Sequence, residues 1–168
     1  METERLVLRH YAAEDKADFI RLSTDATVMK HVADGVLTEA QAEAFWQKLF
    51  AILYPRDFNI WAAFAKEDSH YVGHAGIYPR PAPCQENWEF VYFLNRESWG
   101  KGYATEIARR AIEYGFVELN LPTVYATVDN DHSASIRVLE KSGMKFERFE
   151  FDDKGQFSVY SIKKISQE

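Results

Sequence analysis

The sequence predicts an α+β protein built on one mixed β-sheet. Strand-like and helix-like segments follow in the order strand, helices, three strands, helix, strand, helix, two strands. A long helix pattern separates the fourth and fifth strands, so we expect these two strands to run parallel through a right-handed crossover. The chain has 168 residues, 46% of them hydrophobic, and we expect residues 1–168 to form a single domain.

The first third of the chain predicts one strand and three helical segments. Apolar and polar residues alternate over residues 5–11, which is typical of a strand. Helical spacing of apolar residues follows at 13–23, and a short helical piece at 26–32. Thr38 is a favourable helix N-cap with Gln41 as its capping-box partner, and the helix pattern then continues to position 53.

The middle of the chain predicts three strands, at 58–66, 71–78 and 87–95. The short polar link "EDSH" between the first two indicates a hairpin. The link "PRPAPCQE" between the last two is longer and irregular. No repeat, low-complexity segment or domain linker interrupts this order.

The last part predicts the best helix of the protein, followed by a strand, a helix and a closing hairpin. Apolar residues follow 3,4-spacing over 103–119, and charged residues cover the opposite face. A strand is predicted at 123–128, and a helix at 132–143 that ends at Gly143. The segments "MKFERFEF" and "FSVYSIKKI" form the final two strands.

Composition excludes several classes of function. The formal net charge of −6 argues against general nucleic-acid binding and mildly favours a cationic partner such as an amine. No run of 18 apolar residues predicts a membrane span, and the charged N-terminus does not resemble a signal peptide. The single cysteine, Cys84, suits a reducing compartment, so we expect a cytoplasmic protein. A catalytic role for Cys84 is poorly supported, because no neighbouring residue would lower its pKa.

The turn "WGKGYAT" lies between a predicted strand and the best helix. The first N–H groups of a helix have no internal partner and favour an anion, and glycines let a phosphate approach the backbone closely. A P-loop is excluded because Tyr103 and Ala104 follow Gly102 where the motif has lysine and then serine or threonine. A dinucleotide fingerprint is disfavoured because position 105 is threonine. Two interpretations of the turn remain: it binds the pyrophosphate of an acyl-CoA, or its glycines serve only to pack the start of the helix closely.

Several segments in order resemble the GNAT superfamily of acetyl-CoA-dependent N-acetyltransferases. Within it, the chain is similar to the ribosomal-protein N-terminal (alanine/serine) acetyltransferase group. The segments are "TERLVLRHYAAED", "STDATVMKHV", "YVGHAGIY", "WGKGYATE" and "ASIRVLEKSGMKFE". The resemblance implies a mostly antiparallel sheet of about seven strands, flanked by about four helices, with a splayed parallel pair of central strands.

The resemblance also implies where acetyl-CoA binds. Backbone groups around Tyr92, Phe93 and Leu94 would bond the pantetheine arm, and one N–H there would stabilise the tetrahedral oxyanion. The pyrophosphate would bind a turn where the family usually begins with glutamine or arginine, and its subgroup often with tryptophan. The residues of this turn are Trp99, Gly100, Lys101, Gly102, Tyr103, Ala104 and Thr105.

Two catalytic residues follow from the resemblance. Glu89 lies at the position of the family's usual carboxylate, and large apolar neighbours would raise its pKa towards that of a general base. A solvated strand-end carboxylate is the alternative interpretation. Leu139 stands where the wider superfamily has a tyrosine acid. Ser135, which matches a serine of the subgroup, would bond the departing sulfur or else only shape the helix start. Tyr160, in the last strand, is a weaker candidate for the group that assists the departing sulfur.

The family's asparagine at the cofactor is displaced in this chain. Position 132 is histidine and position 130 is asparagine, so either His132 or Asn130 would make that contact. The histidines show no metal-site spacing, and we expect no metal.

These observations predict an N-acetyltransferase that moves an acetyl group from acetyl-CoA to a primary amine in a ternary complex. The amine would belong to a protein N-terminus, a polyamine or a small molecule, and the protein would be a monomer or homodimer. The alternative is a non-catalytic acyl-CoA-binding or regulatory domain of the same fold. Residues proposed for the acceptor cleft are Val28, Met29, His31 and Trp46, with the core as the favoured place for Trp46.

Overall fold

A computed structural model describes residues 1–32, 35–79 and 87–165. Cys84 lies outside these described residues. The strands form one seven-stranded sheet in the order β1-β2-β3-β4-β5-β7-β6. Their bounds are β1 Leu6–Arg9, β2 Asn59–Ala65, β3 Tyr71–Pro79, β4 Trp88–Leu94, β5 Thr123–Asp129, β6 Lys145–Asp152 and β7 Gly155–Lys163. The predicted α+β class with a mixed sheet is therefore confirmed.

The pairing directions also agree with the prediction. Strand β4 pairs with β5 in parallel, whereas β1–β2, β5–β7 and β6–β7 are antiparallel. In the described part of the chain, the parallel ladder consists of two residue pairs, Trp88 with Val124 and Glu89 with Tyr125. Both strands continue beyond this ladder, to Leu94 and Asp129.

In the described residues, five α-helices accompany the sheet, against about four implied by the resemblance. They are α1 Lys16–Ser23, α2 Ala26–Met29, α3 Glu39–Lys48, α4 Tyr103–Val117 and α5 Ser133–Lys141. Helix α2 is a single turn within the helical piece predicted at 26–32. It is stable at this length because the Asp25 carboxylate accepts bonds from the backbone N–H groups of Thr27 and Val28, at 2.8 and 3.3 Å.

The predicted helix up to position 53 changes its geometry before it ends. Its start is as predicted: the Gln41 N–H donates to Thr38 Oγ1 at 3.3 Å, and the Thr38 N–H donates to Gln41 Oε1 at 2.8 Å. Helix α3 ends at Lys48, and the chain continues as a π-helical turn, Leu49–Leu53, and a 3-10 turn that contains Pro55. The apolar spacing alone does not distinguish these helix types.

The chain divides into two compact units: Met1–Gly76 with Tyr92–Tyr103, and Ile77–Val91 with Ala104–Glu168. In the first unit, Leu6 and Leu8 of β1, Phe19 of α1 and Ile60 of β2 are buried. An aromatic cluster adds to this core, in which the Tyr11 ring lies 5.4 Å from Phe19 and 5.5 Å from Trp46.

In the second unit, the apolar face of α4 is buried as its 3,4-spacing predicts. Ile107, Ala108 and Ala111 are inaccessible to solvent. A Cβ on Gly115 would lie 2.9 Å from side-chain atoms of both Ile77 and Val124, so glycine allows this helix to approach the sheet closely. Among the described residues, no helix has the length and apolar character needed to cross a membrane.

Gly73 lets β3 approach the end of β4. A Cβ at this position would lie 2.5 Å from the Phe93 carbonyl oxygen and 2.7 Å from Leu94 Cα. Both are backbone atoms, so the clash cannot be relieved by turning a side chain. The position of the last residues of β4 therefore depends on a glycine in the neighbouring strand.

We expect Gly73→Ala to lower the free energy of unfolding by about 3 kcal/mol, because the new methyl group would push two backbones apart. Urea denaturation followed by circular dichroism measures this change. Ile77→Val on the same strand is the control, and it should lower the free energy by only about 1 kcal/mol, the usual effect of one buried methyl group. An alanine variant as stable as the wild type would contradict the close approach.

Candidate active site

The two glycines of the glycine turn share a left-handed backbone conformation. Gly100 and Gly102 have φ of 72° and 82°, a left-handed region that side chains disfavour. No heavy atom of the described residues lies within 4 Å of a Cβ built on Gly100. Glycine is required there for its conformation and not for lack of space. Lys101, between the two glycines, is exposed.

The turn leads directly into helix α4. Tyr103, the first helical residue, is buried, whereas Ala104 and Thr105 are half-buried. The N–H groups of a first helical turn have no partner within the helix, and the helix dipole favours negative charge there. The predicted pyrophosphate residues therefore form one continuous feature, a left-handed glycine turn followed by a helix start.

Two side chains fix this turn to the end of β4. The Trp99 indole N–H donates to the Leu94 carbonyl at 2.8 Å, and the Ser98 N–H donates to Asn95 Oδ1 at 3.0 Å. The indole ring is 48% exposed, so its hydrogen bond, and not burial, explains its position. Trp99 thus replaces the family's glutamine or arginine with a side chain that supports the turn. The role of Asn95 was not predicted, although its place before a 3-10 turn, Arg96–Ser98, is typical of a capping residue.

The end of β4, where the pantetheine arm is predicted to bind, packs against the buried ring of His74. The Phe93 ring stacks on His74, with centroids 4.5 Å apart, and His74 is 3% exposed. Burial lowers the pKa of His74 to about 3, so its imidazole is neutral at neutral pH. The Tyr11 hydroxyl lies 3.1 Å from His74 Nδ1. His74 is thus a packing residue.

The Glu89 carboxylate is held by the neighbouring strand. Its Oε1 accepts a bond from the Thr127 backbone N–H at 3.1 Å, and a second, short bond from the Thr127 hydroxyl. Glu89 is half-buried. The sequence does not indicate Thr127, because its place beside the Glu89 carboxylate depends on how β4 and β5 pair.

The two candidates for the displaced asparagine, Asn130 and His132, lie just before α5. Both ends of the Asn130 side chain bond to β7. Its Nδ2 donates to the Gln156 carbonyl at 3.1 Å, and its Oδ1 accepts from the Ser158 hydroxyl at 2.6 Å. His132 is half-buried and immediately precedes α5. Asn130 thus joins the end of β5 to β7.

The residues predicted near the departing sulfur lie in or beside α5. Ser135 is half-buried in the first part of this helix. Leu139 is 1% exposed and belongs to the core. Tyr160 of β7 is buried. Its burial, and to a lesser extent the negative charge of Glu140, raises the pKa of its hydroxyl. A raised pKa makes Tyr160 a poorer acid, so its packing role is the better interpretation.

The proposed acceptor residues are mostly internal. Met29 and Trp46 are buried in the core, which contradicts a place for Met29 on an open cleft. Val28 is also buried but lines a cavity of about 380 Å³ in the first unit. The same cavity is lined by Asp18, Arg21, Asp25, Tyr71 and Arg96. Four of its charged groups form two ion pairs, Arg21 with Asp18 at 2.6 Å and Arg96 with Asp25 at 3.2 Å.

The chain belongs to the acetyltransferase (GNAT) domain family, whose model matches residues 5–145. The predicted superfamily and its enzyme class, N-acetyltransferase, are confirmed.

Similar proteins share both sequence and fold. The chain is 31% identical over 147 residues to an uncharacterized N-acetyltransferase of Bacillus subtilis, covering 88% of this chain and 83% of the relative. It is 26% identical to the crystal structure of a GNAT-family acetyltransferase from Bacillus anthracis. That comparison has a TM-score of 0.83 and covers 97% of each chain.

Two structures with a named ligand share the fold at lower identity. A spermidine N-acetyltransferase from Vibrio cholerae in complex with CoA and spermine is 17% identical, with a TM-score of 0.76 over 94% of this chain and 95% of that one. A ribosomal L7/L12 alpha-N-protein acetyltransferase in complex with coenzyme A is 12% identical, with a TM-score of 0.78 over 96% and 95%. These two comparisons show the fold alone.

We expect Glu89 and Thr127 to be coupled by about 1–2 kcal/mol, because a hydroxyl donating to a carboxylate is a strong hydrogen bond. Urea denaturation of Glu89→Ala, Thr127→Val and the double variant measures this coupling as a double-mutant cycle. Thr123→Val on the same strand is the control and should show no coupling to Glu89→Ala. Additive effects of the Glu89 and Thr127 variants would refute the contact.

Proposed function

We propose that this protein transfers the acetyl group of acetyl-CoA to a primary amine by direct attack in a ternary complex. The observation that carries the proposal is the turn with Gly100 and Gly102 in left-handed conformation, fixed to β4 and followed by α4. Membership of the acetyltransferase (GNAT) domain family supports it. That family model spans both compact units, which supports residues 1–168 acting as a single domain.

The cofactor would use the backbone of β4 and of the turn. The N–H groups from Gly100 to Thr105 would receive the pyrophosphate, with Lys101 adding positive charge at its edge. The pantetheine arm would bond backbone groups of Tyr92, Phe93 and Leu94. The close packing of Gly73 and the stacking of His74 keep these backbone groups in fixed positions, which lowers the entropy lost on binding.

The acceptor amine must lose a proton to attack the thioester carbonyl. Glu89 would take this proton, directly or through one water, as the nitrogen–carbon bond forms. Its bonds to Thr127 hold the carboxylate in one orientation, as a positioned base requires. A backbone N–H of β4 would stabilise the tetrahedral oxyanion.

Collapse of this intermediate breaks the carbon–sulfur bond and releases a thiolate. The hydroxyl of Ser135 would donate a hydrogen bond to that sulfur, and solvent would supply the proton. His132, at the start of the same helix, would contact the cofactor. This assignment gives Leu139 a purely structural role, in keeping with its burial.

The acceptor would be a primary amine of a polyamine, a protein N-terminus or a small molecule. The named structural neighbours act on spermidine or on a protein α-amine, and both substrates present a primary amine. The net charge of −6 favours a cationic acceptor. The single cysteine supports a cytoplasmic location, in which the protein would be a monomer or homodimer.

We expect Gly102→Asp to weaken acetyl-CoA binding by about 100-fold or more, because it places a carboxylate where the pyrophosphate would bind. Titration calorimetry with acetyl-CoA measures this change, and circular dichroism checks that the variant is folded. Gly155→Asp is the matched control, since it adds the same side chain at another glycine with positive φ, 127°. Unchanged affinity in folded Gly102→Asp would remove the pyrophosphate assignment.

We expect Glu89→Gln to lower kcat at neutral pH and to approach the wild-type rate at high pH, where the acceptor amine is already neutral. The assay follows free thiol with spermidine and with peptide N-termini as acceptors, across a pH series. Glu118→Gln, a change at an exposed carboxylate, should leave the profile unaltered. An identical pH profile for Glu89→Gln would exclude Glu89 as the base. Binding of acetyl-CoA without thiol release by any amine would favour a non-catalytic sensor.

A further inference from the structure

We propose that Arg5 is a positioning residue that holds the Lys101–Gly102 peptide in the orientation needed for pyrophosphate binding. The inference rests on the proposed use of acetyl-CoA. Arg5 is distant in sequence from the turn, and no family motif discussed above assigns it a role. Its side chain nevertheless contacts Lys101 and Tyr103, on either side of Gly102.

The contacts form a close arrangement around one peptide group. Arg5 Nη1 donates to the Lys101 carbonyl oxygen at 2.9 Å. Arg5 Cζ lies 4.8 Å from the centroid of the Tyr103 ring, within the range of a cation–π contact. A Cβ built on Gly102 would lie 3.4 Å from Arg5 Nη2. The guanidinium is therefore bonded to the turn and stacked on the first residue of α4.

Arg5 can hold the turn because its own backbone is fixed. The Lys66 N–H donates to the Arg5 carbonyl at 2.8 Å, which continues the β1–β2 ladder. The next residue, Leu6, pairs with Ala65 and is inaccessible to solvent. A long side chain with a fixed origin and two contacts at its tip restricts the group that it touches.

The hydrogen bond determines the direction of an N–H group. In a planar trans peptide, the C=O of Lys101 and the N–H of Gly102 point in opposite directions. Because the Lys101 oxygen points to Arg5, the Gly102 N–H points away from it. This N–H is one of the donors assigned to the pyrophosphate, so Arg5 orients a donor without itself contacting the ligand.

The turn needs such a support because glycine allows other conformations. Gly100 and Gly102 flank the exposed Lys101, and glycine adopts both signs of φ with similar ease. Rotation of the 101–102 peptide would exchange the N–H for a carbonyl oxygen, which repels phosphate. The Tyr103 ring is also approached by His70, whose centroid lies 6.4 Å away, so the stacking surface for Arg5 is itself packed.

The test compares ligands with and without the diphosphate. We expect Arg5→Gln to weaken CoA and acetyl-CoA binding by about 10- to 100-fold, the effect of one charge-assisted hydrogen bond. With S-acetylpantetheine, which lacks the diphosphate, kcat/KM should stay within about 2-fold of wild type. Arg56→Gln removes an exposed arginine elsewhere and should change neither quantity.

A second measurement separates positioning from direct charge attraction. A charge that acts on phosphate is screened by salt, so its loss would matter less at high ionic strength. A lost positioning contact should persist, with the same fold-change in affinity from about 0.05 to about 0.5 M salt. In the ligand-free protein, the Gly102 amide NMR signal should shift or broaden in Arg5→Gln and remain unchanged in Arg56→Gln.

Several outcomes overturn the inference: unchanged CoA affinity in folded Arg5→Gln, an equal loss with S-acetylpantetheine, or a loss that disappears at high salt. An unperturbed Gly102 signal in Arg5→Gln overturns it as well. Failure of the wild type to bind CoA or acetyl-CoA instead refutes the proposed function. The NMR comparison then still decides whether Arg5 orients the turn.

Discussion

The shortness of the parallel ladder between β4 and β5 is the constraint on which the rest of the proposed site depends. The ladder joins Trp88 to Val124 and Glu89 to Tyr125, and beyond it no further described residue of β4 pairs with one of β5. On their other sides, β4 neighbours β3 and β5 pairs with β7. Backbone groups beyond the ladder need other partners, because an unpaired buried polar group is unfavourable. The Asn95 N–H bonds the Val72 carbonyl, and Trp99 donates to Leu94.

The turn after β4 is a local sequence motif whose geometry depends on distant residues. Its glycines allow a left-handed backbone conformation but do not enforce it, because glycine adopts several conformations at similar free energy. Trp99 ties the turn to the strand before it, and Arg5 ties it to β1. Gly73 sets the spacing of that strand from β3. The conformation of the turn therefore depends on its contacts with the sheet as well as on its own residues.

Most of the fold was predictable because its signals are local and periodic. The 3,4-spacing of α4 predicted the buried residues Ile107, Ala108 and Ala111, and the pair Thr38 and Gln41 predicted a capping box that the structure contains. The π-helical turn after Lys48 was not predicted, since its apolar residues fit an ordinary helix equally well. The order of the sequence motifs indicated the family and the glycine turn. It did not indicate which distant residues form hydrogen bonds with the residues of the site.

The sequence by itself determined the order and type of the elements, the family and the glycines of the turn. Each of these properties depends on residues close together in the chain: the spacing of apolar residues, the capping residues and the conformational freedom of glycine. Only the tertiary structure decided that Thr127 holds Glu89, that Asn130 is engaged by β7 and that Arg5 reaches Lys101. These contacts join residues far apart in the chain. They depend on strand register, and a shift of one residue would turn every side chain to the other face.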